Sequence, residues 1–233
     1  MKLQAIIFDL DGTLLDTLND LTVAVNHALG AFGLGCIELS RVRRYVGDGV
    51  PKLLERAVYY CTHGADMKDG DECDRSLVSA CLATFTEYYD KHNADSTKPY
   101  DGVAELLGEV KARGIKTAIV TNKYDGAARE LKDRFFGCVD AIVGTREGVR
   151  PKPSPDGVNL ALELIGADAA HAVYVGDGET DMRTAAACHI PAVAVTWGFR
   201  DAAVLEKFSP AVMIDEPKEL LPALEKAGLA GEA

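Results

Sequence analysis

Apolar residues fall along this chain in two textures. Near-continuous short runs (AIIFDL, KTAIVTN, VDAIVG, AVYVGD, PAVAVTWG and AVMI) predict strands over 5–10, 116–122, 139–144, 172–177, 191–198 and 211–214. Such runs are expected to be buried on both faces. Between them, helical spacing predicts helices over 102–113, 125–135, 154–166, 180–188, 201–208 and 218–227. Ser154 reads as the cap of the third of these, with Pro155 in its first turn. Strands that alternate with helices make a parallel sheet covered on both sides.

The span 16–98 lacks that texture. Helices are predicted over 17–32, 39–46, 50–61 and 73–91, with no strand signal. Thr17-Leu18-Asn19-Asp20 fits a capping box, and Gly33 and Gly35 follow the helix it opens. The expected architecture is an α/β core, a doubly wound parallel sheet of Rossmann-like type, formed by 1–15 and 99–233. An all-helical domain over 16–98 interrupts it just after the first strand. Ligands of open α/β sheets bind beyond the carboxyl ends of the strands. An insert leaving the chain there is expected to act as a cap.

Those strand ends carry the polar residues. The first offers Asp9 and Asp11, which project to one side if the strand continues, because strand side chains alternate with period two. Two carboxylates that close repel each other, so the pair calls for a reason. The second strand ends in Thr121 and Asn122, the loop RPKPSP carries Lys152, and AVYVGD ends in Asp177 with Asp181 one helical turn later. Clustered carboxylates suit a small hard cation, Mg2+. A carboxylate relieved of repulsion by that cation can attack phosphorus and form an aspartyl-phosphate. Its neighbour can protonate the departing oxygen and then take a proton from water. An ammonium, a hydroxyl and an amide can neutralise and orient the phosphoryl oxygens.

Charge and composition narrow the partners. The chain has 233 residues, 48% hydrophobic and 26% charged, enough for a sizeable core. A formal net charge of -11 argues against nucleic acid or an anionic membrane as partner, since both demand a basic surface. A small phosphorylated metabolite needs only a few local cations. The six cysteines have no CxxC pair or zinc spacing, and the short, acidic N-terminal apolar run is no signal peptide, so cytoplasm is expected.

DLDGT, the VTN strand end, the lysine of KPSP and GDGETD resemble, in order, the four motifs of the haloacid dehalogenase superfamily. The resemblance implies that Asp9 is the nucleophile and a metal ligand. It implies that Asp11 is the general acid/base and lends its carbonyl to the metal. Thr121 and Asn122 would bind phosphate, and Lys152 would hold the nucleophile and the phosphoryl group. Asp177 would ligate the metal directly and Asp181 from its outer shell. Gly178 stands where that motif often has serine. The segment YVGDGVPKLLERAV resembles the cap of the phosphoglycolate phosphatase-like group. That implies a phosphatase with phosphoglycolate as leading substrate. Pyrophosphate, a nucleoside monophosphate or a sugar phosphate are alternatives, as are a phosphoglucomutase-like transfer and a non-catalytic scaffold.

Gly47-Asp48-Gly49 lacks the third glycine and the preceding strand of a dinucleotide fingerprint. It is no P-loop either, since Pro51 precedes Lys52. It reads as a plain inter-helix turn. The other reading is a site where the amides at Gly49, with Lys52 or Arg44, receive the substrate's second anionic group.

Overall fold

A computed structural model describes residues 2–230. They divide into two compact units, the residues up to Asp16 together with those from Lys98 on, and Thr17–Thr97 between them.

The first unit carries all the strands among the described residues: β1 (Ala5–Phe8), β2 (Leu15–Asp16), β3 (Lys98–Pro99), β4 (Lys116–Tyr124), β5 (Ala141–Thr145), β6 (Ala172–Gly176), β7 (Ala192–Val195) and β8 (Val212–Ile214). Six form one parallel sheet in the order β5-β4-β1-β6-β7-β8. In register, Ile7 lies level with Ala118 and with Tyr174. Alternate residues Ala5, Ile7, Ala118, Val120, Ala172 and Tyr174 pack into one buried cluster with Val158, Ala161 and Leu162. Their neighbours Ile6, Phe8, Ile119, Val173 and Val175 are buried too. Burial on both faces is why these strands read as continuous apolar runs. The short pair β2–β3, antiparallel, closes the unit where the chain leaves and re-enters it. Two residues per strand are too few to leave a sequence pattern.

Helices α1 (Leu18–Ala31), α2 (Leu39–Tyr45), α3 (Val50–His63) and α4 (Arg75–His92) make the second unit. In the first, α5 (Val103–Ala112), α6 (Asp125–Phe135), α7 (Asp156–Ile165), α8 (Glu179–Ala187) and α9 (Ala202–Leu205) connect the strands, and α10 (Leu220–Lys226) follows β8. Among the described residues, no helix is long and apolar enough to cross a membrane.

Three local expectations change. The capping box at Thr17 does not form: its side chain caps nothing, and Asp20 instead accepts from the Ser96 and Thr97 amides at 3.0 and 2.8 Å and from the Thr97 hydroxyl at 2.8 Å. Tertiary donors outbid the local one. Ser154 does not cap α7, which starts at Asp156. Its Oγ accepts only a long 3.4 Å bond from Asp156 N, while the Asp156 carboxylate takes Arg150. The helix expected over 201–208 breaks into α9 and a 3-10 turn, Glu206–Phe208.

Candidate active site

Asp9 extends the ladder one residue past β1, its amide donating to Val175 O at 2.9 Å. The chain then turns sharply. Gly12 N donates to Leu15 O at 2.9 Å, and the amides of Leu14 and Leu15 both reach Leu10 O at 3.0 Å. The strand therefore does not run on to Asp11, and period-two alternation is not what arranges the two aspartates. Their repulsion is met by two separate lysines. Lys152 Nζ lies 2.8 Å from Asp9 Oδ1, and Lys123 Nζ donates to both oxygens of Asp11 at 2.9 and 3.1 Å.

The turn requires glycine. Gly12 has φ of 88°, and a Cβ there would stand 2.4 Å from Asp177 Oδ2. Gly198 presses on the same carboxylate from the β7 side, where a Cβ would meet Asp177 Cβ at 2.3 Å. Asp177, just past β6, is 3% exposed. Its Oδ1 accepts from the Thr13 hydroxyl at 3.0 Å and its Oδ2 from Phe199 N at 2.7 Å.

Lys152 reaches the centre from the loop after β5. Asn122 places it: its Oδ1 accepts from Lys152 N at 2.7 Å and its Nδ2 donates to Lys152 O at 3.1 Å. The ammonium then faces three oxygens: Asp9 Oδ1, Asp181 Oδ1 at 2.6 Å and the Tyr174 hydroxyl at 3.2 Å. Tyr174 rises from β6, fully buried, with its hydroxyl also 3.2 Å from Asp181 Oδ1 and 3.1 Å from Val120 O. Asp181 Oδ2 accepts from Gly178 N at 3.0 Å, so both its oxygens are engaged.

Asp9, Asp177 and Asp181 each offer an oxygen within 4.8 Å of the others. Among the described residues no side chain makes a well-aligned hydrogen bond to Asp9 Oδ1, although Lys152 pairs with it by charge. Three buried carboxylates against one ammonium leave two negative charges, and the donor set is all oxygen. That is the environment a hard divalent cation fits. Burial first, then the charges of Asp181 and Asp177, push Asp9 up to about 8 against the pull of Lys152. Burial and Asp181 push Asp177 up to about 7. Burial pulls Lys152 toward neutrality, but Asp181 and Asp9 outweigh it and hold the ammonium's pKa well above its ordinary value.

Raised folded-state values favour the protonated carboxyls. Their contribution to stability is full below the unfolded value of 3.8 and is lost as the pH climbs through about 7 and 8. The metal-free protein is therefore expected to melt lower at about pH 9 than at about pH 5, because the bare carboxylates must ionise. A divalent cation displaces those protons, so the rise in Tm that it gives is expected to be larger at about pH 9. A rise equal at both pH values, in a thermal melt with and without chelator, would remove the metal from these carboxylates.

The structure thus brings Asp9, Asp177, Asp181 and Lys152 into one cluster. Asn122 contacts the Lys152 backbone, and the Thr121 hydroxyl accepts from Lys123 N at 3.2 Å. Arg44, Gly49 and Lys52 lie in the helical unit. Gly49, with φ of 86°, precedes α3. Lys52 Nζ is 2.5 Å from Glu55 Oε2, and Arg44 Nη2 is 3.8 Å from Asp66 Oδ2. Arg56 holds the preceding turn, donating to Tyr45 O and to Asp48 Oδ2, each at 2.6 Å. Sequence reasoning missed Lys123, Thr13, Tyr174 and the Phe199 amide. Only Thr13, inside DLDGT, had a signal to find.

The model of the haloacid dehalogenase-like hydrolases matches residues 6–195. A phosphoglycolate phosphatase of Mesorhizobium japonicum is 36% identical over 219 residues, covering 92% of this chain and 91% of its own. One of Rhodospirillum rubrum is 34% identical, covering 91% and 87%. A crystal structure from Lactobacillus delbrueckii subsp. bulgaricus, provisionally named phosphoglycolate phosphatase, superposes over all of both chains with a TM-score of 0.90 and 32% identity.

Proposed function

The chain is a phosphatase of the haloacid dehalogenase-like hydrolase family, and from that premise we propose that it hydrolyses 2-phosphoglycolate by way of a phosphorylated Asp9. The observation that carries the chemistry is the contact of Lys152 Nζ, 2.8 Å from Asp9 Oδ1, inside a cluster of three buried carboxylates. The substrate rests on likeness to proteins of that name.

The Asp9 carboxylate attacks phosphorus as the bond to the leaving oxygen breaks. Asp11 gives that oxygen a proton. Asp11 then takes a proton from the water that attacks the phosphorus on Asp9, which frees inorganic phosphate and restores the carboxylate. Lys152 neutralises charge on Asp9 and on the phosphoryl oxygens, where charge spreads in the transition state. The Thr121 hydroxyl donates to one of those oxygens. Asn122 spends both ends of its amide on the Lys152 backbone and serves by holding that lysine in place. A Mg2+ ion held by Asp9, Asp177 and the Asp11 carbonyl, with Asp181 behind it, would offset the two uncompensated charges and draw the phosphate in. Gly49, Lys52 and Arg44 are the candidates for the substrate's carboxylate.

The test is phosphate release with Mg2+ from 2-phosphoglycolate, pyrophosphate, a nucleoside monophosphate and a sugar phosphate. We expect kcat/KM for 2-phosphoglycolate to lead by about tenfold or more, a preference of roughly 1.4 kcal/mol. Chelator is expected to stop all release. Equal rates across the panel would keep the phosphatase and remove this substrate.

A further inference from the structure

We propose that Lys123 is a positioning residue for the leaving-group step, fixing the Asp11 carboxyl in the orientation from which a proton passes to the leaving oxygen. The inference deepens the phosphatase reading and rests on the role of Asp11 in it.

Lys123 lies in β4 directly after Asn122. There the pairing with β5 is interrupted between Val120 and Tyr124. Its backbone amide donates to Thr121 Oγ1, and its Nζ donates to both oxygens of Asp11 at 2.9 and 3.1 Å. The ammonium thus sits in the fork of the carboxylate. The fork holds the ionised carboxylate by both oxygens; when Asp11 carries the proton, the ammonium keeps the carbonyl oxygen and leaves the O–H to face the leaving oxygen.

Stability alone does not account for the pair. The Lys123 side chain is 2% exposed and that of Asp11 is 16% exposed. A carboxylate that reaches water needs no buried partner to solvate it, whereas a lysine taken out of water pays for its desolvation. An apolar side chain at 123 would cost the fold less. The turn that holds Asp11 is closed by main-chain bonds to Leu10 O and Leu15 O and does not need the lysine either. Lys152 cannot stand in, because its ammonium is committed to Asp9, Asp181 and Tyr174. A residue that breaks a local rule without gain to the fold is expected at a functional site. A general acid must come within about 3.2 Å of the oxygen it protonates, so a carboxyl free to rotate delivers its proton less often.

The test compares leaving groups. Lys123→Met keeps most of the volume and removes the fork. The parameter kcat/KM reports the steps up to the first P–O cleavage and is blind to the later hydrolysis of phosphorylated Asp9. For the alkyl phosphate that the wild-type chain cleaves fastest, whose alkoxide needs a proton, kcat/KM is expected to fall about 100-fold. For a nitrophenyl phosphate, whose phenolate leaves without one, the fall is expected to stay under about threefold. Lys123→Arg, which keeps a charged fork, is expected to recover most of the alkyl rate. Equal losses in kcat/KM for the two esters, or no loss for either, would overturn the assignment. Should Lys123→Met fail to fold, Asp11→Asn/Lys123→Met removes both charges together. Its rates are expected to equal those of Asp11→Asn alone, and a further tenfold loss would sink the idea. A wild-type chain that cleaves neither ester overturns the phosphatase reading and this one together, whereas the other outcomes strike this one only.

Discussion

Asp9→Asn is expected to lower phosphate release by about 10⁵-fold or more, the scale on which loss of a nucleophile acts in a hydrolase that depends on it. The amide keeps the shape and cannot attack phosphorus. The same substitution is expected to stabilise the metal-free protein above about pH 8. Wild-type Asp9, pushed up to about 8 chiefly by burial, must ionise there among Asp181 and Asp177, and the amide need not. Steady-state rates and thermal melts in chelator check the two halves. A variant with wild-type turnover would remove the nucleophile, and one that melts lower than wild type at about pH 9 would contradict the electrostatics.

Lys152→Met is expected to lower kcat by about 10³-fold through the loss of charge stabilisation at the phosphoryl group. It should also cost stability, in the direction opposite to Asp9→Asn. Among the described residues, Lys152 is the ammonium that faces Asp9, Asp181 and the Tyr174 hydroxyl. Removing one partner of a buried ion pair costs about 3–5 kcal/mol, because the remaining charge is left uncompensated. Urea unfolding in chelator at about pH 9, above the values to which Asp9 and Asp177 are pushed, measures it. A variant as stable as wild type at that pH would contradict the pairing. Restoration of stability at about pH 5, where Asp9 and Asp177 are protonated, is the internal control.

The sheet was legible because its strands are buried on both faces. AIIF, AVYV and the AIV of KTAIV carry no charged position, and a run of that kind bounded by helices leaves few alternatives. Asp9, Lys152 and Asp177 were legible because each stands at a strand end or in the loop beyond it, and Asp181 because it lies in the first turn of the helix that follows Asp177. The rest of the site was not, for reasons of distance along the chain. Lys123, which holds Asp11, is 112 residues away from it, and β4 runs two residues past the expected end at Asn122, so Lys123 fell outside the expected strand. Tyr174 read as a strand aromatic. Its hydroxyl acquires a role only when Lys152 and Asp181 arrive beside it. Phe199 contributes through its backbone amide, which no side-chain pattern announces. The capping box at Thr17 failed for the same cause, since Ser96 and Thr97 take Asp20 from across the helical unit.

Passage of phosphate through Asp9 is open to direct capture by acid quenching during turnover. Wild-type protein mixed with substrate and Mg2+ is quenched in acid within a turnover, digested and examined by mass spectrometry for a phosphoryl group. Phosphate is expected on the peptide that contains Asp9, and is expected to be absent from Asp9→Asn and in chelator. Phosphate on another residue, or burst kinetics with no phosphorylated peptide, would contradict it.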